Sequence, residues 1–417
     1  MEKLIDFSFN PKSPTLLHLD LNSCFATIEQ QANPRLRGKP IAVAAYDSPA
    51  GCIVAPSIEA KKYGVTVGMR VRDGKMLCPH LIVLTPDPAK YRNVHLQFRK
   101  LLENYTDKAI PRSIDEFVLD LEGYPAYRKG MINVAREIKE KIKREIGGWL
   151  TVSVGISTNR FLAKVGAGLN KPDGLDVIDK NNFRDIYSKL SLVDLCGIKT
   201  RNAIRLNNAG VYTVLDFYKA SVQKLKAAFG SILAYYWYVR LHGWEIDNVT
   251  FGRRSYGNSF ALPKPLLRVE ELAPILQKLT EKTGMRMRKA GYVARGVHLA
   301  IAYRDNSFWH KGVSLPDYIF DSRDIYKVAF KLLNMSPYRS PDRNLAVSCF
   351  NLERVKNMQL SFLEDFDKKQ KLVNAIDLIN ERWGNFVITP GGMLGTDNVV
   401  IDRIAFGGVK ELEEIVI

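Results

Sequence analysis

The spacing of apolar positions changes several times along this chain, and each change marks an element. A short apolar run, Thr15-Leu16-Leu17-His18-Leu19-Asp20-Leu21-Asn22, ends in a single Asp and leads into a helix expected over 24–31. Residues 34–89 read as a small insertion, with a turn at Gly38-Lys39-Pro40, a strand over 41–45 and a helix over 57–63 closed by Gly64. A strongly periodic helix over 91–106 aligns Val94, Phe98, Leu101 and Leu102 on one face. It delivers the chain to Arg112-Ser113-Ile114-Asp115-Glu116-Phe117-Val118-Leu119-Asp120-Leu121, whose β-branched and aromatic residues favour a strand. A helix over 131–146, a strand over 150–156 and a helix over 161–168 follow, so strands alternate with helices around a mixed sheet.

Later segments follow a different rhythm. Leu195-Cys196-Gly197-Ile198-Lys199, with Ala203 and Leu206 beyond, resembles a helix-hairpin-helix turn that aims backbone N–H groups at a DNA phosphate, with Lys199 where a second glycine is usual. An ordinary pair of antiparallel helices is the alternative. After a linker come strand 255–262, helix 268–289, strands 292–303 and 307–315, helix 321–334 and strand 343–353, a βαββαβ order. A last amphipathic helix is expected over 367–383, before a Gly-rich tail from Pro390 in which we find no chemistry.

Length and charge narrow the class. At 417 residues there is room for two to four domains, and a formal charge of +17 favours a polyanionic partner, nucleic acid first. From Phe251 to Lys311 twelve Lys and Arg face four Asp and Glu, a bias suited to contact along a nucleic-acid backbone. No apolar run approaches the ~20 residues that span a bilayer. Met1 to Pro14 lacks the basic start and apolar core of a signal peptide, so we expect a cytoplasmic protein. The five cysteines are scattered without C-x-x-C spacing, which fits reduced thiols.

Candidate chemistry starts with the Asp115-Glu116 pair. An acidic pair before a buried strand is usually a solvated turn; a second carboxylate, Asp20 at the end of the first strand, changes that. If the two strands are neighbours, three carboxylates converge and repel unless cations hold them ionised. Oxygen ligands without His or Cys point to magnesium. Two further features suit a triphosphate beside such ions: Lys61 and Lys62 on the short helix of the insertion, and Lys171, held by the turn Lys171-Pro172-Asp173-Gly174. Near the end, Gln359-Leu360-Ser361-Phe362-Leu363 has the form of a segment that docks into a hydrophobic cleft.

Assembled in order, these pieces resemble a Y-family (translesion) DNA polymerase over about residues 14–363, closer to the UmuC-like branch than to the DinB-type. The resemblance rests on His18-x-Asp20-x-Asn22-x-x-Phe25-Ala26-x-x-Glu29, Ser113-Ile114-Asp115-Glu116, Val154-Gly155-Ile156-Ser157, and Lys171-Pro172-x-Gly174. It implies a multi-domain α+β fold: a right-hand palm (1–23 and 90–180), fingers (24–89) and thumb (181–246) with the helix-hairpin-helix-like turn. A linker (247–254), a ferredoxin-like βαββαβ little finger (255–356), a clamp-binding motif (357–363) and a C-terminal extension (364–417) complete the expected order.

The resemblance also implies roles. Asp20, Asp115 and Glu116 would be catalytic and would hold two Mg2+ ions, with the Leu21 backbone carbonyl as a further metal ligand. Asp115 would bridge both ions and Glu116 would serve the one at the primer terminus. Phe25 would be the steric gate against a ribose 2′-hydroxyl, and Lys61 and Lys171 would bind the nucleotide. Gly197, Lys199, Arg253, Arg254 and Arg295 would contact DNA, while Gln359, Leu360, Ser361, Phe362 and Leu363 would bind a sliding clamp. Partners would be primer-template DNA, deoxynucleoside triphosphates, the clamp and other mutasome subunits. Departures are Ile58 and Lys61 where DinB-type members carry Tyr and Arg, Asn22 for a frequent Asp and Cys24 for a frequent Phe; Asn22 and Lys61 are shared with the UmuC-like branch. Two rivals stand beside this reading: a non-catalytic DNA-binding accessory factor on the same scaffold, and a palm-type nucleotide cyclase, which leaves the basic C-terminal half unexplained.

Overall fold

Leu16, Leu17, Leu19 and Leu21 are all buried, and a short run that is apolar on both faces suits a strand covered above and below. In the computed structural model, which describes residues 8–249, 252–337, 340–355, 366–384, 386–397 and 399–400, the run is β1 (Leu16–Leu21). The described residues form two units, within Met1–Val249 and within Thr250–Asp402.

In the first unit β1 leads into α1 (Cys24–Ala32). A small sheet then forms from β2 (Ile41–Ala44) and β3 (Ile53–Pro56) and, after α2 (Ile58–Lys62) and α3 (Val71–Leu77), β4 (Ile82–Leu84). Ser57 starts α2 by accepting the Ala60 N–H on its Oγ at 3.2 Å. Helix α4 (Pro88–Leu102) returns to the main sheet, where β5 (Ala109–Pro111) and β6 (Glu116–Asp120) make a hairpin. Then α5 (Met131–Lys141), β7 (Val152–Ser157), α6 (Arg160–Leu169) and β8 (Leu175–Ile178) complete five strands in the order β5-β6-β1-β7-β8. Both neighbours of β1 run antiparallel to it, and Asp20 pairs with Glu116 on one side and Ser153 on the other.

Gly155 decides how closely α6 lies on this sheet. A Cβ there would stand 1.9 Å from the Ala163 carbonyl oxygen, so only glycine lets the helix backbone reach β7. Beyond β8, α7 (Phe183–Lys189), α8 (Thr200–Asn208), α9 (Val214–Lys219), α10 (Val222–Phe229) and α11 (Leu233–Leu241) pack around Leu206, Phe217 and Trp237.

Three differences from the expected elements have local causes. The strand expected over 112–121 covers only Glu116–Asp120, because residues 112–115 form the hairpin turn, closed by the Arg112 N–H on the Glu116 carbonyl at 2.8 Å. The helix expected over 131–146 gives way to a π-helical turn at Ile142–Ile146 before Gly147. Elements β3, α3 and β4 are too short, at four, seven and three residues, to show a period.

In the second unit β9 (Ser255–Leu266), α12 (Val269–Lys289), β10 (Tyr292–Tyr303), β11 (Phe308–Ile319), α13 (Ser322–Asn334) and β12 (Asp342–Arg354) realise the βαββαβ order, with an antiparallel sheet β11-β10-β12-β9. Leu276 and Leu279 of α12 and Ile325 and Ala329 of α13 share its core with Val297, Leu299 and Val347 of the sheet. The described part of the stretch expected to follow separately, 364–417, is fastened to this unit. Asp377 of α14 (Phe366–Trp383) takes the Arg288 guanidinium at 2.7 and 2.8 Å, and Lys278 donates to the Thr396 carbonyl at 2.5 Å. All five cysteines are free, and no described helix is long and apolar enough to cross a membrane.

Candidate active site

Period-two geometry puts His18 and Asp20 on the same face of β1, and the register sets Glu116 of β6 beside Asp20. One ligand atom from each of His18, Asp20 and Glu116 lies within 4.8 Å of the others. His18 stands beside the expected oxygen ligands and had been given no role from the sequence. Its signal was in the sequence as a residue two before Asp20 in the same strand. His18 is 2% exposed, neither ring nitrogen has a hydrogen-bond partner among the described residues, and burial pushes its pKa down to about 4, so it is neutral near pH 7.

Asp115 stands outside that group of mutually close atoms, at the end of the hairpin turn. Its Oδ1 accepts the Ser113 hydroxyl at 2.6 Å, and its carbonyl accepts the Leu21 N–H at 2.9 Å, which ties the turn to the end of β1. Burial pushes the Asp115 carboxyl up to about 6, against the Ser113 bond, with Asp20 and Glu116 adding to the rise. Burial likewise raises Asp20, which Lys171 eases by approaching to 2.5 Å. For Glu116 burial is outweighed by His18 and Lys164, leaving its pKa below the ordinary value. With His18 neutral, that hold falls to Lys164, whose Nζ donates to both carboxylate oxygens at 2.8 and 2.6 Å.

Lys164 escaped the sequence reading. It sits on α6 one residue after Ala163, whose carbonyl abuts Gly155, so the close helix-to-strand approach carries the ammonium over the sheet to Glu116. A glycine inside a strand facing a helix rich in small residues was the available signal.

Asp20, Leu21 and Asp115 form one side of a cleft of about 470 Å³, and Lys61, Lys62 and Lys171 also line it. Burial, then repulsion from Lys171, lowers the Lys61 pKa. Three ammonium groups around a space bordered by carboxylates suit a polyanion held beside cations. The donors fit hard divalent ions: Asp20 and Asp115 of the lining, and Glu116 paired with Asp20 across the strands, offer carboxylate oxygens, and Leu21 lines the same cleft.

The other expected residues lie elsewhere. Phe25 is 1% exposed, stacked on Tyr91 with ring centroids 4.2 Å apart, while Ser23 and Cys24 line the cleft at that point. Gly197 has φ +98° against Trp237, and Lys199 is exposed at the start of α8. In the second unit Arg253 lies over the Tyr256 ring, Arg254 is exposed, and Arg295, at a bulge in β10, lies over Tyr318 at 4.3 Å. Gln359, Leu360, Ser361, Phe362 and Leu363 lie outside the described residues.

Residues 19–168 match the model of the impB/mucB/samB family, and residues 253–362 match the model of that family's C-terminal domain. A DNA polymerase IV of Pelotomaculum thermopropionicum is 32% identical over 402 residues, covering 92% of this chain and 97% of the relative. A DNA polymerase IV of Moorella thermoacetica is 32% identical over 389 residues, covering 90% and 94%. Among solved structures, a Y-family DNA polymerase chimera, Dbh-Dpo4(243-245)-Dbh, aligns with a TM-score of 0.71 at 27% identity, over 81% of this chain and 98% of that one. An insertion ternary complex of Dbh DNA polymerase aligns with a TM-score of 0.57 at 26% identity, over 81% and 98%. These names support the family, and the branch preference read from Asn22 and Lys61 draws nothing from them. With more than half of its length matched by the family's two models, the chain belongs to the Y family of translesion DNA polymerases and is a DNA-directed DNA polymerase.

Proposed function

We propose that this polymerase extends a primer 3′-hydroxyl opposite damaged as well as intact template, using two magnesium ions held by Asp20, Asp115, Glu116 and the Leu21 carbonyl. One observation carries the reading: the carboxylates of Asp20 and Asp115 border the same cleft as Lys61, Lys62 and Lys171. When bound, such ions supply Lewis-acid activation of the hydroxyl and neutralise triphosphate charge. The chain's own residues hold and orient the substrates. Lys61 and Lys171 grip the triphosphate as point charges, less rigidly than a bidentate arginine. Lys164 keeps Glu116 ionised, Lys171 counters the effect of burial on Asp20, and both hold these carboxylates in place before substrate arrives. Phe25, packed on Tyr91 next to the cleft-lining Ser23 and Cys24, is the ring proposed to bar a 2′-hydroxyl.

The partners follow from the same reading. Primer-template DNA and nucleotide are supported by neighbours solved as insertion and post-insertion complexes of Dbh DNA polymerase. Gly197, Lys199, Arg253, Arg254 and Arg295 are proposed to meet its backbone, and Gln359–Leu363 a sliding clamp, with other mutasome subunits as further partners.

Primer extension with magnesium tests the mechanism. The unmutated protein extends, and Asp115→Ala/Glu116→Ala loses at least roughly a thousandfold in rate. Absence of extension by the unmutated protein on every template would favour the accessory role, and activity surviving in the double variant would remove these carboxylates from the chemistry.

A further inference from the structure

Asn22 follows Asp20 by two residues and is 4% exposed. Both ends of its amide are engaged away from the carboxylates. Its Nδ2 donates to Ser153 Oγ at 2.9 Å, and its Oδ1 accepts the Asp173 N–H at 2.8 Å. Ser153 Oγ also accepts the Gly174 N–H at 3.3 Å. Two successive backbone amides of the turn after Lys171 are therefore held by side chains from the β1–α1 junction and from β7.

The same turn is tied on its other side by α5 and by the π-helical turn that follows it. Lys139 donates to the Asp173 and Gly174 carbonyls at 2.5 and 3.2 Å, and the Asp173 carboxylate pairs with Lys139 and Lys143 at 3.0 and 2.9 Å. Gly174 admits no side chain, since a Cβ would meet the Asn170 carbonyl at 2.4 Å. Lys171, at the head of this fastened turn, is 40% exposed in its side chain, and its ammonium lies 2.5 Å from Asp20. A long, partly exposed lysine has many rotamers, and beside that Asp20 pairing the fixed points that aim it are in its backbone.

We propose that Asn22 is a positioning residue for Lys171, holding the 171–174 turn so that the ammonium faces the nucleotide phosphates. The proposal rests on reading Lys171 as a triphosphate ligand. Asp at this position would preserve the arrangement, its carboxylate accepting from the Asp173 N–H and from the Ser153 hydroxyl. Leu would fill similar space while leaving the Asp173 N–H unpaired, so the turn would shift to find another partner.

Steady-state single-nucleotide incorporation on undamaged primer-template tests this, with Asn22→Leu, Asn22→Asp, Ser153→Ala, Lys171→Ala and Asn22→Leu/Lys171→Ala compared after active-site titration. Asn22→Leu and Lys171→Ala each raise KM for the nucleotide roughly tenfold with kcat within about threefold, and Asn22→Asp stays within about twofold of the unmutated protein. Ser153→Ala raises KM in the same direction, and it decides the matter if Asn22→Leu does not fold. In the Lys171→Ala background Asn22→Leu adds less than about twofold. An Asn22→Leu effect confined to kcat, or undiminished when Lys171 is absent, overturns the positioning role. An unchanged KM in Lys171→Ala overturns the reading of Lys171 itself, a separable failure.

Discussion

Replacing Lys164 by Met removes the ammonium from Glu116 while keeping most of the side-chain stem. A hydrogen bond to a charged group contributes about 1.5–3 kcal/mol. The Lys164 side chain is 36% exposed, so solvent screening brings the loss to about 1 kcal/mol. For a unit of this size that lowers Tm by about 2–4 °C near pH 8. The sign with pH follows from Glu116, whose folded pKa lies below 4.5; its stabilisation is present above 4.5 and lost as pH falls through the folded value. Without Lys164 the carboxyl loses part of what opposes its burial, so the variant has less of this stabilisation to lose as pH falls through the folded value. The Tm gap should therefore be smaller at about pH 4 than at about pH 8. Magnesium should shrink it too, because in the variant a cation meets no competing ammonium at Glu116. Thermal melts of both proteins at the two pH values, with and without magnesium, measure this. A gap independent of pH, or equal stabilisation of both proteins by magnesium, would refute the argument.

Phe25→Ala should admit ribonucleotides, cutting discrimination between dCTP and CTP by at least roughly tenfold in primer extension; unchanged discrimination would move the gate elsewhere. Asp342 is fully buried, has no hydrogen-bond partner among the described residues, and burial alone pushes its pKa up to about 7. Its neutral form is compatible with folding below the unfolded value, and that compatibility is lost as pH rises through 7. Asp342→Asn should consequently raise Tm by several degrees at about pH 8 and by little at about pH 4, and an equal gain at both would point away from ionisation.

The βαββαβ half was legible because its strands run to twelve or thirteen residues and its two helices to thirteen and twenty-one, long enough to display their periods. The small sheet was only partly so, since β3 and β4 have too few residues for alternation to stand out. At the site, Asp20 and Glu116 could be brought together by assuming adjacent strands, and the observed register does so. What a linear reading missed arrives through packing. His18 required noticing which face of β1 Asp20 occupies, and Lys164 required seeing that Gly155 removes the space between a strand and a helix. Phe25 illustrates the reverse: its motif position was clear, while its burial against Tyr91 depends on α4, which returns some sixty residues later.

The seam between α12 and α14 has a practical consequence for dividing this chain into fragments. Cutting after Arg354 would spare all four strands and both helices of the βαββαβ motif. It would also leave the Arg288 guanidinium, 9% exposed in the intact protein, without the Asp377 carboxylate that balances it, and Lys278 without its Thr396 acceptor. A stranded buried cation is costly. Val373, 5% exposed on α14, would be lost from the apolar cluster it shares with Val293 and Phe320. A minimal C-terminal fragment should therefore run past residue 397, because the motif that names the fold is shorter than the body that satisfies its buried charges.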